Sequence, residues 1–167
     1  MVPRPDVNTI LYATDIGEQT RPVFRMAVSL ARRYEARILM VHVVPPLGSS
    51  ALSLMDSYLS EEDAEKIHQE GMQQMLDSMK EQLQQFKEEE IEAYNINRIP
   101  VTEIIVVSGS YPSKEILRVA EEHNAEMIVI GKSTHSFFHS DVMGTTARRV
   151  LRYSPIPVLL VPNPPER

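Results

Sequence analysis

The residues whose types and spacing could do chemistry lie between positions 131 and 146. This stretch reads Gly-Lys-Ser-Thr-His-Ser-Phe-Phe-His-Ser-Asp-Val-Met-Gly-Thr-Thr, with a glycine at or near each end. The apolar run at 127–130 suits a buried strand, and the segment at 147–152 is long enough for a short helix. At a helix start, unpaired N–H groups and the positive dipole end favour an anion. The stretch therefore predicts a phosphate-binding loop, in which Thr145 and Thr146 cap the helix and offer hydroxyls to a ligand.

The tripeptide Gly131-Lys132-Ser133 resembles the end of a P-loop, whose pattern is G-x-x-x-x-G-K-[ST]. That pattern needs a glycine at position 126, which is Glu126. It also needs residues 127–130 as loop, whereas their apolar, β-branched character favours a strand. We therefore do not interpret the tripeptide as a P-loop.

Two histidines of the same stretch, His135 and His139, stand four positions apart with Asp141 nearby. This set could suggest a metal, but the spacing places both side chains on one face only in a helix, and this loop is irregular. The sequence also shows no nucleophile–base pair and no acid–base dyad. We therefore predict neither a metal site nor an efficient enzyme.

The composition sets broad limits on the class of protein. The 167 residues fit one domain, 1–167, and 17 basic against 23 acidic residues give a net charge of −6. Binding to nucleic acid or to an anionic membrane needs a basic surface, so neither is expected. The absence of cysteine excludes disulfides and thiol chemistry, and no apolar run is long enough to cross a membrane. We expect a cytoplasmic protein.

Apolar runs alternate along the chain with segments of helical periodicity. The predicted strands are 9–13, 38–44, 103–108, 127–130 and 158–161, and the predicted helices are 18–34, 61–90, 113–123 and 147–152. The helix at 61–90 carries a methionine-rich apolar stripe that we expect to pack on the sheet, with Ser60 as its cap. Residues 47–60 are predicted as a loop or mobile lid, and 162–167 as a frayed tail.

This alternation predicts right-handed crossovers and an open parallel sheet with helices on both faces. Ligands of such sheets bind beyond the carboxyl ends of the strands, where the strand order reverses. Three segments at the carboxyl ends of predicted strands carry residues suitable for binding a ligand: 13–15, 42–44, and the stretch that starts at Gly131. If strands one and four are neighbours, the first and third of these loops converge.

At this point the chain resembles the universal stress protein family across nearly its whole length. The resemblance is carried by five segments: Ile-Leu-Tyr-Ala-Thr-Asp at 10–15, Val-His-Val-Val at 41–44, Gly-Ser-Tyr-Pro at 109–112, Met-Ile-Val-Ile-Gly at 127–131 and Pro-Val-Leu-Leu-Val-Pro at 157–162. Nucleotide-binding members of the family carry G-x2-G-x9-G-[ST] after the fourth strand. Gly131, Thr134, Gly144 and Thr145 reproduce that spacing, with a threonine in place of the second glycine.

The resemblance implies a three-layer α/β fold of the adenine-nucleotide alpha-hydrolase-like type, with strand order 3-2-1-4-5. It also implies a homodimer that pairs through the last strand, Val158, Leu159, Leu160 and Val161. The implied ligand is ATP, with or without Mg²⁺, in a module for stress response or signalling. The implied nucleotide-binding residues are Ala13, Thr14, Asp15, Val43, Gly131, Ser133, Thr134, Gly144, Thr145 and Thr146.

Several of these residues have a second interpretation. Asp15 could accept hydrogen bonds from a ligand or cap the following helix, and Val43 could offer backbone groups to a base or simply fill a strand position. Gly131 and Gly144 could be needed for positive φ alone. Thr134 could obstruct phosphates with its Cβ or donate from its hydroxyl. The alternative functions are a dimeric protein-interaction module without a nucleotide and a slow nucleotide hydrolase.

Overall fold

The computed structural model describes residues 6–15, 18–46, 48–94, 100–132 and 143–163. The strands are β1 Thr9–Ala13, β2 Arg37–Val44, β3 Val101–Ser108, β4 Met127–Gly131 and β5 Val158–Val161. The helices are α1 Arg21–Tyr34, which follows a 3-10 turn at Glu18–Thr20, α2 Ser49–Tyr58, α3 Glu61–Tyr94, α4 Pro112–Glu122 and α5 Thr145–Tyr153. No helix in these ranges has the length and apolarity needed to cross a membrane.

The five strands form one parallel sheet in the order β3-β2-β1-β4-β5, which confirms the predicted fold class and strand order. β1 lies at the centre, between β2 and β4. Its last residue, Ala13, is in register with Val41 of β2 and with Ile130 of β4. The strand order reverses beside β1, so the carboxyl ends of β1 and β4 meet as predicted.

Helices cover both faces of the sheet. The face that carries Tyr12 packs against α1 and α3, and aromatic contacts run from Tyr12 to Phe24 at 5.6 Å and from Phe24 to Phe86 at 5.3 Å between ring centroids. The opposite face, with Leu11, packs against α4 and α5. Because helices cover both faces, the central strands are apolar on both sides. This explains why their sequences are uninterrupted apolar runs.

The prediction of a loop or lid at 47–60 was wrong, because residues 49–58 form α2. The many serines and the glycine of this segment suggested a loop. Leu52, Leu54 and Met55 are nevertheless good helix formers, and helix formation is compatible with exposed serines. Residue 47 lies outside the described residues, so its part of the prediction is untested.

Helix α3 extends four residues beyond its predicted end. Ser60 caps it as expected, since the Asp63 N–H donates to Ser60 Oγ at 3.2 Å. The apolar stripe behaves differently in its two halves. Leu83 is 1% exposed within the core, whereas Ile67 is 48% exposed, so the stripe packs on the sheet only in the carboxyl-terminal half of the helix.

A buried carboxylate links α3 to the first turns of α1. Glu90 is 1% exposed, and its Oε1 accepts from Arg21 Nη1 at 2.5 Å while its Oε2 accepts from Arg25 Nε at 2.9 Å. Burial raises the pKa of Glu90, but the hydrogen bonds from Arg25 and Arg21 outweigh it and hold the pKa below the ordinary value. Glu90 is therefore ionised in the folded protein and holds two helices together.

Candidate functional site

Two of the three predicted loops meet at the carboxyl edge of the sheet. The Lys132 N–H donates to the Val161 carbonyl at 2.9 Å, and the Gly144 N–H donates to the Lys132 carbonyl at 2.9 Å. These bonds bring the two ends of the predicted phosphate loop together at the tip of β4, next to the end of β1. Ser133 and Thr134, and with them the histidines at 135 and 139, lie outside the described residues.

The glycines of this loop serve purposes other than positive φ. Gly144 has φ −58° and Gly131 does not adopt a left-handed conformation, so that interpretation was wrong for both. A Cβ built on Gly131 would lie 3.2 Å from Val23 Cγ2 and 3.4 Å from Asn163 Nδ2. Glycine is favoured at position 131 because β4 ends in close contact with α1 and with the segment after β5.

The start of α5 also differs from the prediction. The helix begins at Thr145 and its N-cap is Gly144, without a side-chain cap bond, so Thr145 and Thr146 are not capping residues. Both occupy the first turn instead. The first backbone N–H groups of an α-helix have no partner within the helix, since the bonding pattern starts with the Arg148 N–H donating to the Gly144 carbonyl at 3.0 Å.

The end of β1 is held by a network of hydroxyl groups. The Thr14 N–H donates to the Val41 carbonyl at 2.9 Å, and the Thr14 hydroxyl donates to the Asp15 carbonyl at 2.6 Å. The Tyr12 hydroxyl donates to Thr14 Oγ1 at 2.9 Å, and burial raises the pKa of Tyr12 far above its ordinary value. Tyr12 therefore stays protonated and acts as a fixed donor beneath the loop.

The Asp15 side chain is 49% exposed at this edge. It does not cap α1, because that helix begins at Arg21 and its N-cap is Thr20. The capping interpretation of Asp15 was therefore wrong. A half-exposed carboxylate beside the end of a central strand has acceptor oxygens available to a ligand.

The backbone of Val43 faces the space beyond the end of β1. Backbone groups of successive strand residues point to opposite neighbours, so residues 41 and 43 face the same side of β2. The Val41 carbonyl accepts from Thr14, which identifies that side as the β1 side. Val44 faces β3, since its carbonyl accepts from the Gly109 N–H at 3.0 Å. The N–H and C=O of Val43 therefore point toward β1 where β1 has ended.

The side chain of His42 occupies the position at which the next ladder bond would form. In a continued parallel ladder the Val43 N–H would donate to the Thr14 carbonyl. Between these two described residues that bond is not made, and His42 Nδ1 lies 2.7 Å from the Thr14 carbonyl oxygen instead. The sequence predicts His42 as a hydrogen-bonded core or pocket-wall residue, and its contact with the Thr14 carbonyl agrees with that prediction. The signal available was a polar residue within an apolar strand, one position before Val43.

Two arginines bring positive charge to the start of α5. Arg148 lies on the first turn of α5, where its Nη2 is 3.4 Å from the Met143 carbonyl oxygen, and Arg149 is exposed beside it. Within the described ranges, His, Asp and Glu side chains form no group of three that could hold a metal ion. The counter-charge available to an anion here comes from arginine and from the helix end.

Comparisons with known proteins agree with this fold. A sequence model of the "Universal stress protein family" matches residues 7–162. A universal stress protein of Thermus aquaticus is 26% identical over 153 residues, which cover 92% of this chain and 97% of the relative. The structure of universal stress protein UspA from Lactobacillus plantarum gives a TM-score of 0.65 at 21% identity and covers 95% of this chain and 99% of that one.

One further solved structure contains a ligand. It is the universal stress protein from Archaeoglobus fulgidus in complex with dAMP, at a TM-score of 0.51 and 19% identity, covering 93% of this chain and 98% of that one. At these identities the structural matches establish a common fold, and the match of the family model to most of the chain establishes its ancestry.

Proposed function

The chain belongs to the universal stress protein family, and on that premise we propose that it binds an adenine nucleotide, ATP with or without Mg²⁺, at the carboxyl edge of its sheet. The observation that carries the proposal is the pair of Val43 backbone groups, which point into the gap beyond β1. The dAMP complex of the Archaeoglobus fulgidus relative supports the same ligand class. Nucleotide occupancy would bias the contacts of a stress-response module with its partners.

The base would bind to the backbone of Val43. Adenine presents an acceptor, N1, beside a donor, the exocyclic amine, and these match the Val43 N–H and C=O. Asp15, half exposed at the same edge, would accept hydrogen bonds from the ribose hydroxyls. Ala13 and Thr14 would form the floor, since Ala13 is 7% exposed and Thr14 is also 7% exposed.

The phosphates would lie along the loop that joins β4 to α5. The bond from the Gly144 N–H to the Lys132 carbonyl holds the two ends of this loop together next to Gly131, and Thr145 and Thr146 would contribute N–H groups from the first turn of α5. Ser133 and Thr134 belong to the same proposed site through the family pattern. Helix-end N–H groups and nearby arginines provide the electrostatic complement to a polyphosphate.

Isothermal titration with ATP, with and without Mg²⁺, tests the proposal directly. A heat signal that saturates between micromolar and low millimolar ATP supports the proposal. The absence of any heat up to millimolar ATP contradicts it. Asp15→Ala should weaken binding several-fold through loss of the ribose acceptor. Thr134→Gly should tighten binding if the side chain obstructs phosphates and weaken it if the hydroxyl donates. If the protein releases phosphate from ATP and Asp15→Ala abolishes that release, the protein is also a slow nucleotide hydrolase.

The alternative function, a dimeric interaction module, is favoured by β5. In the described sheet β5 pairs with β4 alone, and its residues 158–160 are half-buried apolar side chains at an edge. Such an edge is a template for pairing with a second chain. The Val161 carbonyl faces β4, where it accepts from Lys132, so the N–H of Leu160 points outward.

The substitution Leu160→Pro therefore tests a homodimer formed through β5. It removes one outward donor without removing a donor that faces β4. Light scattering after size exclusion should show a dimer for the unmodified protein and a monomer for this variant. A monomeric unmodified protein, or a variant that still dimerises, would contradict pairing through β5.

A further inference from the structure

We infer that His42 is a positioning residue that keeps the Val43 N–H free for a nucleotide base, an inference that rests on the proposed function. His42 is the residue of β2 whose side chain reaches the point where β1 leaves the sheet. It bonds to the Thr14 carbonyl, and that carbonyl is the acceptor to which the Val43 N–H would otherwise donate.

The hydrogen bond fixes the proton on one nitrogen of the His42 ring. A carbonyl oxygen can only accept, so at 2.7 Å the Nδ1 of His42 must carry the proton. The nearest oxygen of Asp15, Oδ1, is 3.7 Å from the same nitrogen, which is too long for a hydrogen bond. The His42 side chain is 12% exposed and is therefore held by its surroundings in this orientation.

The Thr14 carbonyl needs a donor because its residue is 7% exposed. A buried carbonyl without a partner is destabilising, so the chain will satisfy it from the nearest donor. Without the imidazole, that donor is the N–H of Val43, one rung further along β2. The bond would extend the β1–β2 ladder by one rung and occupy the donor that the adenine N1 requires.

Two substitutions separate this role from simple packing. His42→Leu retains bulk but has no donor, whereas the amide nitrogen of His42→Asn can occupy the position of Nδ1. With one net hydrogen bond to the base lost, the Kd for ATP should rise about tenfold in His42→Leu and should change less than about threefold in His42→Asn. Titration calorimetry of both variants and the unmodified protein measures this contrast.

Hydrogen exchange of the Val43 amide gives a readout that needs no nucleotide. In the unmodified protein this amide should exchange readily, because it makes no ladder bond to Thr14. In His42→Leu it should exchange at least about tenfold more slowly, since it acquires the Thr14 carbonyl as a partner. Loss of packing alone would act in the opposite direction and speed the exchange.

Ring nitrogen shifts of ¹⁵N-labelled protein test the starting geometry without any substitution. The neutral ring should carry its proton on Nδ1, and a proton on Nε2 would overturn the inference even if His42→Leu failed to fold. Unchanged or faster Val43 exchange in His42→Leu would overturn it as well, as would equal ATP affinity in all three proteins. If the unmodified protein does not bind ATP, the proposed function is wrong. Slower exchange of the Val43 amide in His42→Leu would still establish that His42 controls the β1–β2 ladder.

Discussion

The substitution Glu90→Gln changes one atom of the carboxylate that joins α3 to α1. In the folded protein Glu90 accepts three hydrogen bonds, from Arg21 Nη1 at 2.5 Å and from Arg25 Nε at 2.9 Å and Nη2 at 3.3 Å. Glutamine has the same shape but replaces one acceptor oxygen by an amide donor. That donor must face a guanidinium, which also only donates. We therefore expect a loss of stability without a change in volume.

The size of this loss follows from the burial of the three groups. Truncating one partner of a fully buried ion pair costs about 3–5 kcal/mol. The Arg21 and Arg25 side chains are 21% and 43% exposed, so water still solvates the cations after the substitution. One hydrogen bond to a charged group, about 1.5–3 kcal/mol, is the appropriate scale. We expect Glu90→Gln to lower the free energy of unfolding by about 2 kcal/mol at neutral pH.

The same difference should depend on pH. The Arg25 and Arg21 bonds hold the pKa of Glu90 below its ordinary value, so the unfolded chain takes up the proton first as the pH falls. The stabilisation by Glu90 is complete above the ordinary glutamate pKa of about 4.3. It declines below that value and is lost as the pH falls through the lower pKa of the folded state.

Urea denaturation of both proteins between pH 7 and the lowest pH at which the unmodified protein stays folded measures this. The matched control is Glu92→Gln, at an exposed position two residues along the same helix, which should change stability by less than about 0.5 kcal/mol at every pH. A Glu90→Gln variant as stable as the control at pH 7 would refute the reasoning. So would a difference from the unmodified protein that persists in acid.

Three other substitutions should lower the free energy of unfolding, measured by urea denaturation at pH 7. Gly131→Ala places a Cβ 3.2 Å from Val23 Cγ2. This crowding should outweigh the stabilisation that alanine gives over glycine in a strand, and the net cost should be about 1 kcal/mol. Equal or greater stability of the variant would show that the end of β4 has room for a side chain. Tyr12→Phe removes the buried donor to Thr14 and should cost about 1 kcal/mol, and no loss would mean that water replaces the hydroxyl. Ser60→Ala should cost about 1 kcal/mol through loss of the α3 cap, unless that helix end unfolds independently, in which case only the helical circular dichroism would fall.

The strand positions were predictable because they depend on local apolar patterns, and the strand order was expected from the family resemblance. β1 and β5 have the predicted bounds, and the order follows from the family resemblance and from the rules for parallel sheets. Strands that are apolar on both faces are typical of parallel sheets with helices on both sides. The sequence therefore determined the parts of the fold that satisfy general packing rules.

The errors occurred where tertiary contacts decide the local structure. Helix α2 forms in a serine-rich segment that packs along α3, and the N-cap of α5 is a glycine although two threonines were available as caps. Positive φ was one interpretation of Gly131, whereas the structure shows that an added Cβ would lie 3.2 Å from Val23 Cγ2. The contact of Gly131 with Val23 joins residues that are far apart in sequence, and a periodicity or a capping preference carries no information about such a contact.

The opening that would receive a base results from unequal strand lengths. β1 has five residues and β2 has eight, and the register pairs Ala13, the last residue of β1, with Val41 of β2. Residues 42–44 therefore project past the end of β1, and β4 also continues for one residue beyond Ile130, the partner of Ala13. Two strand spacings, about 9.5 Å, separate β2 from β4 at this point, and in the proposed site one flat ring with hydrogen bonds at its edge would lie between them.

The lengths of β1 and β2 can be predicted from the sequence. The register that leaves residues 42–44 beyond the end of β1 cannot. A register shifted by one residue would also reverse the faces of β2 and move His42 away from the Thr14 carbonyl. Ile38, Met40 and His42 lie on the same face of β2. The register that packs Ile38 and Met40 in the core beneath α1 and α3 therefore also places His42 at the end of β1. Core packing and the opening of the site depend on a single register, so a substitution that shifts it should abolish both together.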